Sequence, residues 1–394
     1  MSRGKEVRRL DGKSKCTCFA MKAGRPEAGG MYGYLKETFG IMKEEQILKE
    51  ADGLKPTVKG RFAPSPTGRM HLGNVFAALM SWLSAKSQGG QWLLRIEDLD
   101  PQRSHAEYAE TLMDDLLWLG LEWDEGPRIG GGNGPYWQSQ RSDLYEQALR
   151  QLQQKGLIYP CTCTRADIMA TQAPHESDGR VVYKGTCRPQ RAVRWDVLMS
   201  GNGGAKGTSP AKEVLCTEAP DALTAPSAPA ALRLMVPPQP LADVVCHDRH
   251  YGEVSENLAS HCGDFIVRRR DGAWAYQLAV VVDDALMGVN EVVRGRDLLL
   301  SAPQQMYVAR LLGYSQPAFA HIPLLVNAQG QRLSKRDKSL DMGELRSRYT
   351  AGELLGKLAH VAGLAPDEGS VTARELIPQF SWASVPREDI LCEM

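Results

Sequence analysis

One stretch of the chain constrains its fold more than any other. Residues 57–63 carry the β-branched and aromatic side chains of a short strand, and the proline-stiffened turn PSPTG at 64–68 follows at once. A strand that turns directly into a helix predicts the first unit of an α/β fold with a parallel sheet. Beyond the turn, apolar side chains recur at the spacing of one helix face: Leu72, Val75, Phe76, Leu79, Met80 and Leu83.

The same alternation of strands and helices continues along the chain. A second buried strand is predicted at 91–96, and helices are predicted near 105–120 and 141–156. An α/β pattern of this kind continues after about residue 264. The later predicted elements are strands at 265–269, 279–282 and 291–293 and a helix capped by Ser301 that runs through about 313.

Composition excludes several classes of protein. The 394 residues include 47 Lys and Arg and 47 Asp and Glu, and a zero net charge neither requires nor excludes a nucleic-acid partner. The chain contains no apolar run long enough to cross a membrane and does not open on a secretory signal. Nine cysteines at uneven spacing argue against a disulfide framework, so we expect a protein of the reducing cytoplasm.

Two segments depart from the α/β pattern. Residues 1–56 form a basic extension that we expect to be disordered, except for one amphipathic helix that 34–50 could form. Organelle targeting by 1–55 is the less favoured role, because targeting peptides avoid acidic residues and this extension contains several. Residues 200–230 are rich in small residues and proline, which predicts a flexible surface insertion.

The segment from Arg61 to Asn74 has the features of a phosphate site. It passes from a strand through a turn to a helix N-terminus, where unpaired N–H groups and a partial positive charge attract phosphate. Gly73 has no side chain to block the approach of a nucleotide, and His71 can donate hydrogen bonds to phosphate oxygens.

A second basic motif, RLSKR at 332–336, follows an extended run and Gly330. Lys335 and its two flanking arginines could offset the charge that develops on a leaving pyrophosphate. A solvated basic loop is the alternative interpretation of these residues.

Together these motifs resemble the glutamyl branch of the class I aminoacyl-tRNA synthetases. The resemblance covers about residues 57–345 and rests on RFAPSPTGRMHLGN, RIEDLDPQRS, WQSQR, AVVVDDALMGVNEVVRGRDLL and HIPLLVNAQGQRLSKR. It implies a Rossmann-type domain that joins L-glutamate to ATP with Mg²⁺, giving glutamyl-AMP and pyrophosphate, and then passes the glutamyl group to tRNA. It also implies catalytic roles for His71, Ser334 and Lys335 and ATP contacts for Thr67, His71, Gly73, Asn74 and Lys335. Asn74 stands where the family motif has histidine, which weakens one expected phosphate contact.

Glutamate carries two carboxylates and one ammonium, so its site needs cations and an anion. Arg61 and Arg294 are the candidates for the carboxylates, Glu97 for the ammonium and Tyr276 for a hydrogen bond to the side-chain carboxylate. The family resemblance implies a pocket formed by Arg61, Phe62, Ala63, Pro64, Ser65, Glu97, Tyr276 and Arg294.

Three cysteines crowd into one short part of the chain, at Cys161, Cys163 and Cys187, and thiolates suit a structural Zn²⁺ with four ligands. The Cys-x-Cys and Tyr-x-x-x-Cys pattern is similar to that of the glutamyl-Q tRNA(Asp) synthetases, which implies Tyr183 as the fourth ligand. A phenolate is a poorer zinc ligand than a thiolate, so His175 is the rival, and three metal-free thiols are the further alternative.

The resemblance also predicts how the chain is divided. About 50 residues follow the lysine motif, fewer than an anticodon-binding domain needs, as in the truncated glutamyl-Q branch. That branch implies activation of glutamate without tRNA, transfer to queuosine at the wobble position of tRNA(Asp), and a monomer without membrane contact. A short glutamyl-tRNA synthetase that charges a 3′ end and an inactive tRNA-binding paralogue are the alternatives. The expected divisions are the extension 1–56, catalytic halves 57–156 and 264–345, a zinc-bearing insertion 157–263 and a helical segment 346–394.

Overall fold

The computed structural model describes residues 57–170, 182–199, 229–333 and 340–392, which belong to one compact unit, Thr57–Met394. The extension 1–56 and nearly all of the predicted insertion at 200–230 lie outside these residues. Ser334, Lys335 and His175 lie outside them as well.

The first α/β unit forms where the opening motif predicts it. Strand β1 (Lys59–Phe62) leads through the proline turn into helix α1 (Leu72–Ser87), which returns to strand β2 (Gln91–Leu94), parallel to β1. Helix α1 lies deep in the core, and its apolar side chains at 72, 75, 76, 79, 80 and 83 are all buried. Burial on several faces of α1 fixes the turn between β1 and α1 against the rest of the domain.

Helices and a small sheet follow this unit. They comprise α2 (Ala106–Trp118), α3 (Ser142–Gln154), β3 (Ile158–Cys161), α4 (Arg165–Ala170), α5 (Trp195–Met199) and β4 (Ala231–Leu234). The chain then forms β5 (Asp243–Asp248), β6 (Gly252–Asn257), α6 (Leu258–His261), β7 (Phe265–Arg268), α7 (Tyr276–Leu286) and β8 (Glu291–Gly295). Strands β3, β4 and β7 pair antiparallel in one sheet.

The remaining elements complete the described part of the chain. They are α8 (Ala302–Leu312), β9 (Ala318–Ile322), β10 (Leu325–Val326), α9 (Met342–Arg348), α10 (Ala351–Val361), α11 (Ala373–Leu376) and β11 (Ile390–Leu391). A four-stranded sheet has the order β6-β5-β9-β8, with β9 parallel to β5 and to β8. Strand β1 lies beside β8, because the backbone N–H of Asn290 donates to the carbonyl of Lys59 at 3.1 Å. The carboxyl ends of β1, β2, β8 and β9 therefore meet at one edge, which is where α/β folds bind ligands.

One predicted strand is wrong, and one predicted capping contact is absent although the helix after Ser301 forms as predicted. Residues 279–282 are not a strand but the middle of α7, where every residue from Leu278 to Asp284 is buried. A short apolar run buried on all sides has the same pattern in a helix and in a strand. Ser301 ends a 3₁₀ helix (Arg296–Ser301), and its side chain makes no capping hydrogen bond to α8.

Within the described part of the chain, no helix is both long and apolar enough to cross a membrane.

Candidate active site and metal centre

A cavity of about 470 Å³ opens at the carboxyl ends of the parallel strands. Its walls come from the turn after β1, the start of α1, the start of α7 and the end of β8. Each described residue predicted to contact glutamate or ATP lines it: Arg61, Phe62, Ala63, Pro64, Ser65, Thr67, His71, Gly73, Asn74, Glu97, Tyr276 and Arg294. The structure brings these residues together, and their individual roles stay predictions.

His71 and Asn74 build the helix terminus at the floor of this cavity. The Nδ1 atom of His71 accepts a hydrogen bond from the Gly73 N–H at 3.1 Å, and Asn74 Oδ1 accepts one from the His71 N–H at 3.2 Å. This reciprocal capping box satisfies two of the N–H groups that a helix start leaves open. Because Nδ1 accepts, a neutral His71 ring carries its proton on Nε2 and keeps a donor. Asn74 thus has a capping function in the position where histidine was expected.

Arg95 organises the acidic side of the cavity, and sequence reasoning gave it no role. Its fully buried guanidinium contacts Asp284 at 2.7 Å, Glu97 at 3.1 Å and Asp283 at 3.6 Å. The Nε atom of Arg61 lies 3.5 Å from the same Asp284. One signal could have revealed the cluster, because Arg95 and Glu97 stand two residues apart and so share a face of an extended segment.

The pKa values of Glu97 and Asp284 are shifted in opposite directions, although both carboxyl groups are buried. Burial raises the pKa of Glu97, and the nearby Arg95 and Arg61 only partly oppose the rise. Burial also acts to raise the pKa of Asp284, but the charges of Arg61 and Arg95 and their hydrogen bonds outweigh it and the pKa is lowered. Glu97 is therefore the carboxylate that would gain most from a further cation, such as an ammonium group.

Arg294 is the cation on the opposite side, and it lies on β8 with 6% of its surface exposed. Its hydrogen bonds all go to neutral acceptors: His321 Nε2 at 2.9 Å, Gln305 Oε1 at 2.8 Å, Tyr276 Oη at 3.3 Å and the Leu298 carbonyl at 3.2 Å. Among the described residues no carboxylate forms an ion pair with it, and burial lowers its pKa. A buried guanidinium without a carboxylate partner can attract a substrate carboxylate. Because Tyr276 accepts from Arg294, its own O–H remains able to donate.

The described residues before and after 334–339 are fixed against the cavity. Arg332, which lines the cavity, forms an ion pair with Asp297, and the Leu333 N–H donates to the Leu325 carbonyl at 3.0 Å. On the far side, the Met342 N–H donates to the Met70 carbonyl at 2.9 Å, one residue before His71. Both anchors thus lie on cavity-forming elements.

The three predicted metal-binding cysteines form a cluster at the end of β3. The sulfur atoms of Cys161, Cys163 and Cys187 lie within 4.8 Å of one another, and those of Cys163 and Cys187 are 3.5 Å apart. The Tyr183 hydroxyl lies 3.5 Å from the Cys161 sulfur and 3.9 Å from the Cys163 sulfur. In a tetrahedral zinc site the ligand atoms are separated by about 3.8 Å for two sulfurs and about 3.5 Å for sulfur and oxygen. The donor set therefore fits a zinc ion in both chemistry and spacing.

Both backbone groups and side chains hold Tyr183 in place. Its hydroxyl oxygen accepts a hydrogen bond from the Cys187 N–H at 2.7 Å, which only partly opposes the rise in the pKa of Tyr183 that burial and the Cys161 sulfur cause. The Arg233 guanidinium lies over the ring at 3.7 Å from its centroid. Gly263 has φ +63°, and a Cβ there would lie 2.2 Å from the Tyr183 carbonyl oxygen. Only glycine allows this close approach.

The comparisons with known proteins agree with one another. The family model described as tRNA synthetases class I (E and Q), catalytic domain, matches residues 57–355. The chain is 43% identical over 341 residues to the glutamyl-Q tRNA(Asp) synthetase of Symbiobacterium thermophilum, covering 84% of this chain and 94% of that protein. It is 38% identical to glutamate–tRNA ligase 2 of Acidithiobacillus ferrooxidans, covering 84% of this chain but 63% of that one. A crystal structure of a glutamate tRNA ligase from Elizabethkingia meningosepticum with its amino acid matches with TM-score 0.66 and 27% identity, covering 85% of this chain and 67% of that one.

Proposed function

Because the chain belongs to the class I tRNA synthetases of the glutamate and glutamine type, we propose that it is a glutamyl-Q tRNA(Asp) synthetase. It activates L-glutamate with ATP and transfers the glutamyl group to queuosine in tRNA(Asp). The observation that carries this proposal is that one cavity is lined both by Arg294, which has no carboxylate partner among the described residues, and by the carboxylate of Glu97.

The charges of the cavity match the charges of an amino dicarboxylic acid. Arg61 and Arg294 take the two carboxylates, Glu97 takes the ammonium, and the Tyr276 hydroxyl donates to the side-chain carboxylate. The backbone and side chains of Phe62, Ala63, Pro64 and Ser65 form the wall beside them. Arg95 does not bind substrate, because three carboxylates already surround it.

ATP lies over the start of α1, with Thr67, His71, Gly73 and Asn74 as its contacts. The α-carboxylate oxygen of glutamate attacks the α-phosphorus in line, the new O–P bond forms, and the bond to pyrophosphate breaks. The substrate supplies the nucleophile as an anion, so the step needs no general base. The Nε2–H of His71 and the amine of Lys335, which follows Ser334 in the sequence, stabilise the negative charge that develops on the phosphates, and a bound Mg²⁺ ion would add positive charge there.

Zinc is the proposed resident metal, and Cys161, Cys163, Tyr183 and Cys187 are its ligands. With all four positions filled by protein, the ion has a structural role and holds the chain after β3 in place. Burial acts to raise the pKa of the Cys187 thiol, but hydrogen bonds from the backbone and its neighbours lower it to about 7. A thiol that ionises near neutral pH is ready to bind zinc. Free thiols of this kind suit a reducing compartment, so we place the enzyme in the cytoplasm.

The choice of acceptor rests on the identity over the shared part of the chain. This identity is 43% with the glutamyl-Q tRNA(Asp) synthetase and 38% with glutamate–tRNA ligase 2. The higher value favours queuosine in tRNA(Asp) over a tRNA 3′ end as the acceptor.

Glutamate-dependent exchange of labelled pyrophosphate into ATP tests the proposal. We expect exchange in the absence of tRNA, and then transfer of glutamate to queuosine-containing tRNA(Asp) that fails after periodate oxidation of the queuosine diol. Exchange only in the presence of tRNA would instead identify an ordinary glutamyl-tRNA synthetase. A folded, zinc-loaded protein with no exchange under either condition would identify an inactive paralogue.

A further inference from the structure

A buried chain of hydrogen bonds runs behind Arg294, away from the cavity. Arg294 on β8 and His321 on β9 stand directly opposite each other in the parallel register, and Asp248 ends β5 on the other side of β9. The Arg294 Nε–H reaches His321 Nε2 at 2.9 Å, and His321 Nδ1 reaches Asp248 Oδ2 at 2.6 Å. His321 is fully buried and Asp248 is 4% exposed.

Backbone hydrogen bonds to Asp248 determine which ring nitrogen of His321 donates and which accepts. The Asp248 Oδ1 atom accepts from the backbone N–H groups of His250 at 3.0 Å, Tyr251 at 2.9 Å and His321 at 3.3 Å. Its Oδ2 atom is thereby turned toward the His321 ring, where a carboxylate requires a donor, so the ring proton lies on Nδ1. The Nε2 atom then offers a lone pair to Arg294.

We propose that Asp248 and His321 are positioning residues for the glutamate site: Asp248 fixes the Nδ1–H tautomer of His321, and neutral His321 orients the Arg294 guanidinium without neutralising it. The proposal rests on the proposed function, in which Arg294 takes a substrate carboxylate. A carboxylate in direct contact with Arg294 would compete with the substrate, whereas a neutral imidazole leaves the positive charge available.

The charged groups around His321 support a neutral ring. Asp248 faces Nδ1, Arg294 faces Nε2 from β8, and Arg61 on β1 adds a second positive charge, while the uncharged Phe319 ring stacks on the imidazole. Burial is the largest cause that lowers the pKa of His321, and the arginines add to it against the opposing effect of Asp248. Protonation would place an N–H group against the Arg294 N–H and put two cations in contact.

The substitution Asp248→Asn tests the tautomer. The three backbone N–H groups hold the amide oxygen of the new side chain, so its NH₂ group faces His321 Nδ1 and turns that atom into an acceptor. The ring proton then moves to Nε2, where it opposes the Arg294 Nε–H. We expect the glutamate half-saturation in pyrophosphate exchange to rise about tenfold, with the saturated rate changed less than threefold.

Two substitutions of His321 form a matched pair. The amide oxygen of His321→Gln reaches the position of Nε2 and still accepts from Arg294, whereas His321→Asn reaches only the position of Nδ1. We expect His321→Asn to raise the half-saturation about tenfold and His321→Gln to recover most of that loss. Both variants remove the imidazole, so a purely structural role would affect both alike, and thermal denaturation checks that each is folded.

The dependence on pH separates His321 from Glu97, which also titrates on the acid side. In the wild-type enzyme the glutamate half-saturation should rise as pH falls toward 5, because protonation of either residue weakens binding. In His321→Gln only the Glu97 component should remain, so the rise should be shallower.

Nitrogen-15 NMR of labelled histidine reads the tautomer directly, independent of activity. We expect the proton of His321 on Nδ1 in the wild-type protein and on Nε2 in Asp248→Asn; a wild-type proton on Nε2 would overturn the proposal. Normal wild-type exchange with unchanged half-saturation in Asp248→Asn and His321→Asn would overturn the positioning role alone. Absence of exchange in the wild-type protein would overturn the proposed function itself, and with it the role of this chain in binding glutamate.

Discussion

Replacement of Glu97 by Gln tests the part of the site that distinguishes an amino acid from other dicarboxylic acids. The Glu97 side chain is 10% exposed, and its Oε1 atom accepts from Arg95 at 3.1 Å. Gln keeps an acceptor for Arg95, which retains Asp283 and Asp284 as partners. The variant should therefore fold normally and lose only the negative charge that we propose faces the substrate ammonium.

The magnitude follows from that single lost interaction. A hydrogen bond to a charged group contributes about 1.5–3 kcal/mol net. The glutamate half-saturation in Glu97→Gln should rise by about 10- to 150-fold as a result. The saturated rate of pyrophosphate exchange should change much less, because the reacting carboxylate is held from the other side of the cavity.

The assay compares glutamate with 2-hydroxyglutarate, which has both carboxylates but no ammonium. As a competitive inhibitor, 2-hydroxyglutarate should bind the wild-type protein and Glu97→Gln with similar affinity. Equal weakening of both ligands by the substitution would refute the reasoning, since Glu97 would then act on the shape of the cavity. An unchanged glutamate half-saturation would refute it as well.

Three further predictions concern the lysine motif and the metal centre. Lys335→Ala should lower the exchange rate by about two to three powers of ten with little change in glutamate half-saturation, measured by steady-state exchange; a normal rate would refute charge stabilisation by this residue. Cys187→Ala should lose zinc in metal analysis and unfold at a lower temperature, whereas Cys392→Ala, outside the cluster, should keep both properties; equal zinc in the two variants would dismiss the metal site. Gly263→Ala should lower thermal stability and zinc content together, because its Cβ would collide with the Tyr183 backbone, and an unperturbed variant would contradict that packing.

The sequence predicted the part of the site that lies at strand ends. A strand, a tight turn and a helix in immediate succession leave little freedom, so His71, Gly73 and Asn74 had to lie at a helix start. Arg294 was predicted from the charge of a substrate carboxylate and from the family motif, and it lies on β8 where that strand ends at the cavity. Cys161, Cys163 and Cys187 lie close together in the sequence, and thiolates are ligands that zinc prefers, so a cluster was predicted and the structure contains it.

Contacts between distant parts of the chain could not be predicted in this way. Arg95 meets Asp283 and Asp284 across nearly 190 residues, and a misassigned strand at 279–282 concealed that a helix presents both acids. Likewise, nothing in the local sequence of His321 indicates that Asp248 would orient it. Such pairs depend on how the strands and helices are arranged in space, and the local sequence around each residue does not specify that arrangement.

Two backbone hydrogen bonds tie the described residues before and after 334–339 to the cavity. The Leu333 N–H donates to the Leu325 carbonyl, and the Met342 N–H donates to the Met70 carbonyl, one residue before His71. A segment whose two ends are already fixed loses less conformational entropy when it binds a ligand than one with free ends. A substitution that breaks either hydrogen bond should therefore slow pyrophosphate exchange while every side chain of the RLSKR motif stays unchanged.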